Sequence, residues 1–325
     1  MKSLKLFILG LLVCSAAFAQ TVPTNRYAMK LEQKEDGTYA LQKEKRYAKI
    51  VDLSAIPDLL DPYVHQNDRL TGKLYNKVQT DIITYKNHDG YELQIAVDKA
   101  LCDTPSPVLF FIHGGGWARG NFDASRSLTK YLAQNHGITG VRIEYTLAPQ
   151  EGANVQVSIQ DILDAVQYIR DHAGELNIDP SRMAFGGSSA GAHLAACGAL
   201  KTPEAKVLIG YSGIYDLTTA AITTRAKDPE RINYFGGLDP KYLEQASPLY
   251  MIPKKTKLAA QLFCGTADIT VEYSQSEEFA AALRRHKATV DLEVYPNYDH
   301  GLNGKSSDKM EEIFFKTVDF VVAHL

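Results

Sequence analysis

The distribution of apolar residues divides the chain into two parts near residue 78. Residues 20–78 carry many charges and tyrosines and show no long periodic segment. Beyond them, short apolar or alternating runs typical of strands occur at 81–85, 92–97, 108–112, 138–145, 183–185, 207–211, 258–264 and 290–295. Segments with apolar or small residues at helical spacing separate several of these runs, at 124–134, 157–169, 190–200, 274–285 and 310–325.

This alternation predicts an α/β fold, in which a mostly parallel central sheet carries helices on both faces. Ligands of such sheets bind at the carboxyl ends of the strands. Residues 217–253 interrupt the alternation. We therefore expect them to form a small helical insertion over that end of the sheet.

The N-terminus has the layout of a secretory signal peptide. Two lysines precede an apolar run at 6–13, and Ala17 and Ala19 are the small residues expected before a cleavage point. The run is shorter than the roughly 20 residues of a membrane-spanning helix, so no stable membrane insertion is expected. Lipidation at Cys14 is an alternative, although Val13 stands where a small residue is usual.

The chain is therefore expected to be exported, to the periplasm or outside the cell. Its predicted organisation is a signal peptide at 1–19, an N-terminal extension at 20–78 and one catalytic domain at 79–325. The sequence leaves open whether the protein forms a homodimer.

Composition excludes several other classes of protein. Hydrophobic residues make up 45% and charged residues 22%, with a formal net charge of -3. Because no long basic run interleaves with aromatic residues, no nucleic-acid partner is expected. Cys102, Cys197 and Cys264 are too widely spaced for a zinc motif. The apolar neighbours of Cys197 and Cys264 favour buried, structural thiols.

The first motif with chemical content is Gly187-Ser188-Ser189-Ala190-Gly191, which matches G-x-S-x-G. Small flanking residues allow a sharp turn between a strand and a helix, on which a serine projects its oxygen above the sheet. The pentapeptide alone is a weak signal. The predicted strand before it and the small-residue helix after it supply the expected context, so Ser189 is the candidate nucleophile.

The second motif is His113-Gly114-Gly115-Gly116-Trp117, which directly follows the apolar strand at 108–112. Consecutive glycines leave backbone N–H groups free to donate to a developing oxyanion. A phosphate-binding loop is the alternative, but no Gly-Lys-Ser/Thr follows.

A serine nucleophile needs a base, and the base needs an orienting acid. In strand–turn–helix hydrolases these follow the serine in the order acid, then histidine. Of the downstream histidines, His300 lies in a loop after the last strand, whereas His286 and His324 are expected on the surface. Asp268, just after the strand at 258–264, is the candidate acid, and Asp216 is its competitor.

Two further residues are not expected to be catalytic. Asp299 is adjacent to His300, which makes the required geometry difficult. His193 lies on the helix after the serine, where a packed core histidine is expected.

Together these motifs resemble the hormone-sensitive-lipase-like and BD-FAE-like esterases of the α/β-hydrolase superfamily, over roughly residues 80–325. The resemblance also rests on the segments 142–149 and 177–182 and on Ser247-Pro248. Two departures, Glu144 and Thr146 in the 142–149 segment, affect the placement within the superfamily more than the catalytic residues.

The resemblance implies a two-step acyl transfer. Ser189 would attack an ester carbonyl, His300 would transfer the proton and Asp268 would orient the imidazole. The N–H groups of Gly115, Gly116 and Ala190 would hold the oxyanion. No metal or organic cofactor is implied.

Export and resemblance together favour a small ester or an acylated oligosaccharide as substrate. Acetyl or feruloyl groups on plant polysaccharide are the leading hypothesis, and Trp117 is expected to contact the substrate, although simple packing of that ring would look the same in sequence. Other hypotheses are an arylformamidase-like amide hydrolase, a peptidase, and a catalytically silent binding protein of the same fold.

Overall fold

The computed structural model describes residues 20–22, 28–33, 39–44, 48–50, 77–88, 90–219, 229–302 and 308–325. The predicted signal peptide and most of the predicted N-terminal extension lie outside these ranges. Within the extension, β1 (Gln20–Val22) pairs with β4 (Ala48–Ile50), and β2 (Ala28–Gln33) pairs with β3 (Tyr39–Glu44), both antiparallel.

The centre of the fold is an eight-stranded sheet. Its strands are β5 (Thr80–His88), β6 (Tyr91–Asp98), β7 (Ser106–Ile112), β8 (Thr139–Ile143), β9 (Ile178–Ser188), β10 (Ala205–Tyr211), β11 (Ala259–Gly265) and β12 (Thr289–Tyr295). Their spatial order is β12-β11-β10-β9-β7-β8-β6-β5. The β5–β6 and β6–β8 pairs are antiparallel, and the other pairs are parallel.

Helices follow most of the strands. In the described residues they are α1 (Arg126–Asn135), α2 (Val155–Asp171), α3 (Ala190–Lys201), α4 (Pro229–Tyr234), α5 (Pro240–Ala246), α6 (Pro248–Met251), α7 (Ser274–Arg285) and α8 (Asp308–His324). A short 3-10 turn, Gly236–Leu238, joins α4 to α5. None of the described helices is long and apolar enough to cross a bilayer.

The core lies on both faces of the sheet. Alternate residues of β7 point to different clusters: Phe110 and Ile112 pack with α2 and α3, whereas Leu109 and Phe111 pack with α1 and α8. A strand buried on both faces reads as a continuous apolar run, as this one does.

The predicted fold class is confirmed, and each predicted strand and helix of the 79–325 region is present. The insertion is also present, as α4 to α6 between β10 and β11. Several boundaries differ from the prediction. The strand predicted at 183–185 is longer and begins at Ile178, and α1 begins two residues later than expected, because Ser125 adopts a left-handed conformation with φ 59°.

Candidate active site

The turn after β9 presents Ser189 at the carboxyl edge of the sheet. Ser189 has φ 54° and ψ -124°, a conformation that costs energy for a residue with a side chain. Its N–H donates to Tyr211 O of the neighbouring strand at 2.8 Å, which holds the turn in place. The sequence Gly187-Ser188-Ser189-Ala190-Gly191 therefore folds as the sharp strand-to-helix turn that was predicted.

Two glycines make this turn sterically possible. A Cβ on Gly187 would meet the backbone of Gly191, and a Cβ on Gly191 would meet the backbone of Ile112 and His113. The first residues of α3 thus approach the end of β7 closely, and no side chain fits between them. This contact places the serine directly beside the glycine loop that follows β7.

His300 lies beside Ser189 in the loop after β12. Its Nε2 is 2.9 Å from Ser189 Oγ, and its Nδ1 is 2.7 Å from Asp268 Oδ2. The arrangement is satisfied when Nδ1–H donates to the carboxylate and Nε2 accepts the serine hydroxyl, which is the tautomer a general base requires.

Asp268 is held by its own loop after β11. Its Oδ1 accepts the N–H groups of Thr270 at 2.7 Å and Val271 at 2.9 Å, and its side chain is 2% exposed. The loop is bonded to the histidine loop through Ala267 N, which donates to Tyr298 O at 3.0 Å. The carboxylate therefore has one fixed orientation toward His300.

The glycine loop after β7 lies next to the serine. A Cβ on Gly114 would be 2.7 Å from Ser188 O, so the loop can approach the turn only because this residue is glycine. Gly115 and Gly116 have φ 123° and 63°, values that favour glycine. Within the described part of the chain, neither of their N–H groups donates to a backbone carbonyl. Ala190, the first residue of α3, has an N–H that no helical carbonyl accepts.

The other candidate residues lie away from this constellation. The carboxylate of Asp216 accepts bonds from Thr218 and from Tyr250 Oη, at the start of the insertion. Asp299 is exposed and accepts the Gly301 N–H. His286 directly follows α7 and its Nδ1 pairs with Pro253 O, and the side chain of His324 is exposed.

Trp117, which was predicted to contact substrate, packs against the insertion and is not among the residues that line the cavity at Ser189. Its side chain is 7% exposed and meets Phe235 edge-on, with ring centroids 5.1 Å apart. Its Nε1–H donates to His193 Nδ1 at 3.3 Å. The indole faces the insertion because Phe235 and His193 offer it an apolar contact and an acceptor. A sequence cannot show which side of a loop an aromatic ring faces.

His193 is fully buried, as expected for a core histidine. Its Nε2 donates to Ala246 O at 2.8 Å, and its ring also lies 3.7 Å from Cys197 Sγ. Burial lowers the pKa of His193 to about 4, against a smaller raising effect of the Ala246 carbonyl. The imidazole is therefore neutral near pH 7. From α3, it forms hydrogen bonds with the glycine loop through Trp117 and with the insertion through Ala246.

Two of the cysteines lie in the core. Cys197 and Cys264 are buried, and burial raises the pKa of both thiols, that of Cys264 to about 11. Across the described ranges, no group of three or more His, Cys, Asp and Glu side chains is arranged as a metal site.

The family comparison covers most of the region predicted to be the catalytic domain. The BD-FAE family model matches residues 93–283, which is more than half of the chain. That segment contains β6 through α7, including Ser189, Asp268 and the glycine loop.

Two curated relatives match at lower identity. An acetyl esterase from Salmonella schwarzengrund (strain CVM19633) is 25% identical over 217 residues, 61% of this chain and 65% of that protein. A probable isoprenylcysteine alpha-carbonyl methylesterase ICME from Oryza sativa subsp. japonica is 26% identical over 217 residues, 60% of this chain and 52% of that protein. The match thus spans less than two thirds of each relative.

Solved structures share the architecture. The thermophilic esterase Est2 of the planctomycete Thermogutta terrifontis, with butyrate bound, superimposes with a TM-score of 0.64 at 23% identity. The match covers 75% of this chain and 94% of that chain. The same esterase phosphorylated by paraoxon gives a TM-score of 0.63 at 22% identity, with the same coverage. From the sheet, its helices and the family match together, the chain is a member of the BD-FAE family and has the α/β-hydrolase fold.

Proposed function

We propose that the protein is a serine carboxylesterase that hydrolyses its substrate through an acyl-enzyme. The observation that carries this proposal is the continuous hydrogen-bonded line from Asp268 through His300 to Ser189, with N–O distances of 2.7 and 2.9 Å. A histidine held between a carboxylate and a serine hydroxyl can both take up and return the proton.

In the first half of the reaction, Ser189 Oγ attacks the carbonyl carbon and its proton passes to His300 Nε2. Asp268 stabilises the imidazolium that forms. The N–H groups of Gly115, Gly116 and Ala190 donate to the oxyanion. His300 then gives the proton to the alkoxide oxygen as the alcohol leaves, which generates the acyl-serine.

In the second half, water replaces the alcohol. His300 takes a proton from water as the water oxygen attacks the acyl carbon, and the bond to Ser189 Oγ breaks as His300 returns that proton to it. The products are the free acid and the regenerated enzyme. No further reactant is needed.

The direct test uses the mature protein and its Ser189→Ala variant with aryl esters of acetate, butyrate and octanoate. The wild type should cleave the short esters, and the variant should lose at least about 10⁴-fold in kcat/KM. A fluorophosphonate probe should form a covalent adduct with the wild type at Ser189 and leave Ser189→Ala unlabelled. Full activity of Ser189→Ala would overturn the assignment, and absent labelling of the wild type would indicate a silent binding protein.

For the natural substrate, we propose acetyl or feruloyl esters on plant polysaccharide. The supporting observations are the membership in the BD-FAE family, the acetyl esterase relative and the signal-peptide pattern at 1–19. Release of acetate from acetylated xylan should exceed release from a simple aryl acetate at equal ester concentration. No preference for the polysaccharide would contradict this. Export itself is tested by sequencing the N-terminus of the secreted protein, which should begin at Gln20.

A further inference from the structure

The three N–H groups proposed to bind the oxyanion come from two segments that are far apart in sequence. Gly115 and Gly116 belong to the glycine loop after β7, and Ala190 begins α3. Oxyanion donors accelerate a reaction only when their N–H groups already converge on the position that the oxygen will occupy, about 2.7–3.1 Å from each donor. The reaction therefore depends on the contacts that fix the glycine loop relative to α3.

Trp117 ends the glycine loop in a conformation that costs energy. Its φ of 57° lies in the left-handed region, which residues with bulky side chains rarely adopt. Its carbonyl accepts the Ala148 N–H at 2.7 Å, and its indole is buried, with the Phe235 ring edge-on against it. Such a conformation persists only where the surrounding contacts determine it. The packing of Trp117 therefore fixes the end of the glycine loop.

The Trp117 indole is hydrogen-bonded to the segment that carries the third donor. Its Nε1–H donates to Nδ1 of His193 at 3.3 Å, and His193 lies on α3, three residues after Ala190. The backbone N–H of His193 donates to Ser189 O at 3.2 Å, within the first turn of the same helix. The bond between Trp117 and His193 thus connects the two segments of the oxyanion site directly.

The second nitrogen of His193 determines how this ring is held. Nε2–H donates to Ala246 O at 2.8 Å, so Nδ1 carries no proton and accepts from the indole. The imidazole is fully buried. Neither Trp117 nor His193 lines the cavity of about 900 Å³ into which Ser189 opens. Any effect of these two side chains on the reaction therefore passes through the glycine loop and α3 rather than through contact with the substrate.

We propose that Trp117 and His193 are positioning residues, which hold the glycine loop and the start of α3 at the spacing that oxyanion binding requires. The inference rests on the esterase function proposed above. Because the oxyanion exists in the transition state and not in the bound ester, loss of the bond between Trp117 and His193 lowers kcat and leaves KM nearly unchanged. A residue that contacted the substrate would alter KM, and one that only stabilised the fold would alter neither constant.

The experiment removes this hydrogen bond from either side and measures hydrolysis of an aryl butyrate. Trp117→Phe keeps an aromatic ring without the N–H donor, and His193→Leu removes the acceptor. Each should lower kcat by about 10- to 100-fold, less than the roughly 10²- to 10³-fold effect of deleting an oxyanion donor, with KM within about twofold of wild type. His193→Gln can still accept from the indole and donate to Ala246 O, so its kcat should stay within about threefold of wild type.

A trifluoromethyl ketone provides a second readout that does not depend on turnover. Ser189 Oγ adds to the carbonyl carbon of 1,1,1-trifluoro-2-hexanone, the hydroxyl proton passes to His300, and the hemiketal oxyanion occupies the same N–H donors. Trp117→Phe and His193→Leu should therefore bind this ketone more weakly, by about the same factor as kcat falls.

Ser106→Ala is the matched control. The Ser106 hydroxyl pairs with Thr139 Oγ1 at 2.7 Å in the core, at the amino end of β7, the strand that leads into the glycine loop. This variant also loses a buried hydrogen bond and should unfold at a lower urea concentration, but it should keep the wild-type kcat and affinity for the ketone. All variants are assayed without denaturant, at a temperature at which circular dichroism shows them folded.

The outcomes separate this inference from the function beneath it. Wild-type kcat and ketone affinity in Trp117→Phe and His193→Leu would overturn it, as would a loss of kcat in His193→Gln as large as in His193→Leu. An equal loss in Ser106→Ala would also overturn it, because general destabilisation would then explain the effect. Should His193→Leu fail to fold, Trp117→Phe and Ser106→Ala decide the question. Absent labelling of wild-type Ser189 by the fluorophosphonate probe would overturn the esterase function itself.

Discussion

Two histidines contact Ser189, and their surroundings differ in every respect that matters for catalysis. His300 Nε2 meets the serine hydroxyl, whereas the backbone N–H of His193 donates to Ser189 O at 3.2 Å. The side chain of His300 is 27% exposed and pairs with a carboxylate. The ring of His193 is fully buried between an indole N–H and a backbone carbonyl.

The partners therefore determine what each ring can do. A carboxylate at Nδ1 stabilises the imidazolium that forms when His300 takes a proton. An indole donor and a carbonyl acceptor satisfy only the neutral ring, and protonation of His193 would set N–H against N–H. Of these two histidines, His300 therefore has the surroundings of a base, because its second nitrogen faces a carboxylate.

The largest expected effect is on activity, from replacing His300. His300→Gln should lower kcat/KM by at least about 10⁴-fold, because glutamine cannot take up the serine proton. The free energy of unfolding, measured in urea, should change by less than about 1 kcal/mol, since the side chain is partly exposed. A large loss of stability would show that the loop depends on this residue for folding. His300 would then have a structural role as His193 does.

Replacement of the orienting acid comes next. Asp268→Asn should reduce kcat by about 10³- to 10⁴-fold, because the amide cannot stabilise an imidazolium and favours the wrong tautomer. Asp216→Asn is the control, an equal change at the carboxylate that competed with Asp268 in the sequence. It should stay within about tenfold of wild type. A larger loss in Asp216→Asn than in Asp268→Asn would reverse the assignment.

The smallest effect, on stability, concerns His193. The pKa of His193 in the folded protein is about 4, below its ordinary 6.5, so the unfolded chain binds the proton first as pH falls. Its contribution to stability is complete above pH 6.5 and is lost as pH falls toward 4, by about 3 kcal/mol in total.

His193→Gln provides the measurement. Glutamine can donate to Ala246 O and accept from Trp117 without titrating, so urea unfolding of the variant should depend less on pH in that window. Part of the dependence should remain, because burial also lowers the pKa of His113. Identical pH profiles for variant and wild type would mean that His193 does not titrate as its burial implies.

Much of the fold and of the triad could be predicted because local sequence controls them. The turn at Ser189 needs Gly187 and Gly191 for steric reasons that act within a few residues. The order of strands then places the loops with Asp268 and His300 at one edge of the sheet. Catalytic residues whose positions follow from the order of strands and loops can therefore be predicted from the sequence.

What sequence could not predict depends on contacts between distant segments. Trp117 turns inward because Phe235, in the insertion, packs against it. Arg119 and Arg231 meet at one cavity only after α4 folds over the glycine loop. The start of α1 was misplaced by the left-handed conformation of Ser125, which no pattern of apolar residues indicates.

The position of β12 at the edge of the sheet matters for folding during synthesis. The nucleophile and the glycine loop are made first, but the base arrives only with the loop after this last strand. A nascent chain can fold the parallel strands around β9 and still be unable to cleave an ester. The proposed esterase activity therefore needs the loop after β12, and early folding of the strands around β9 is not enough for it.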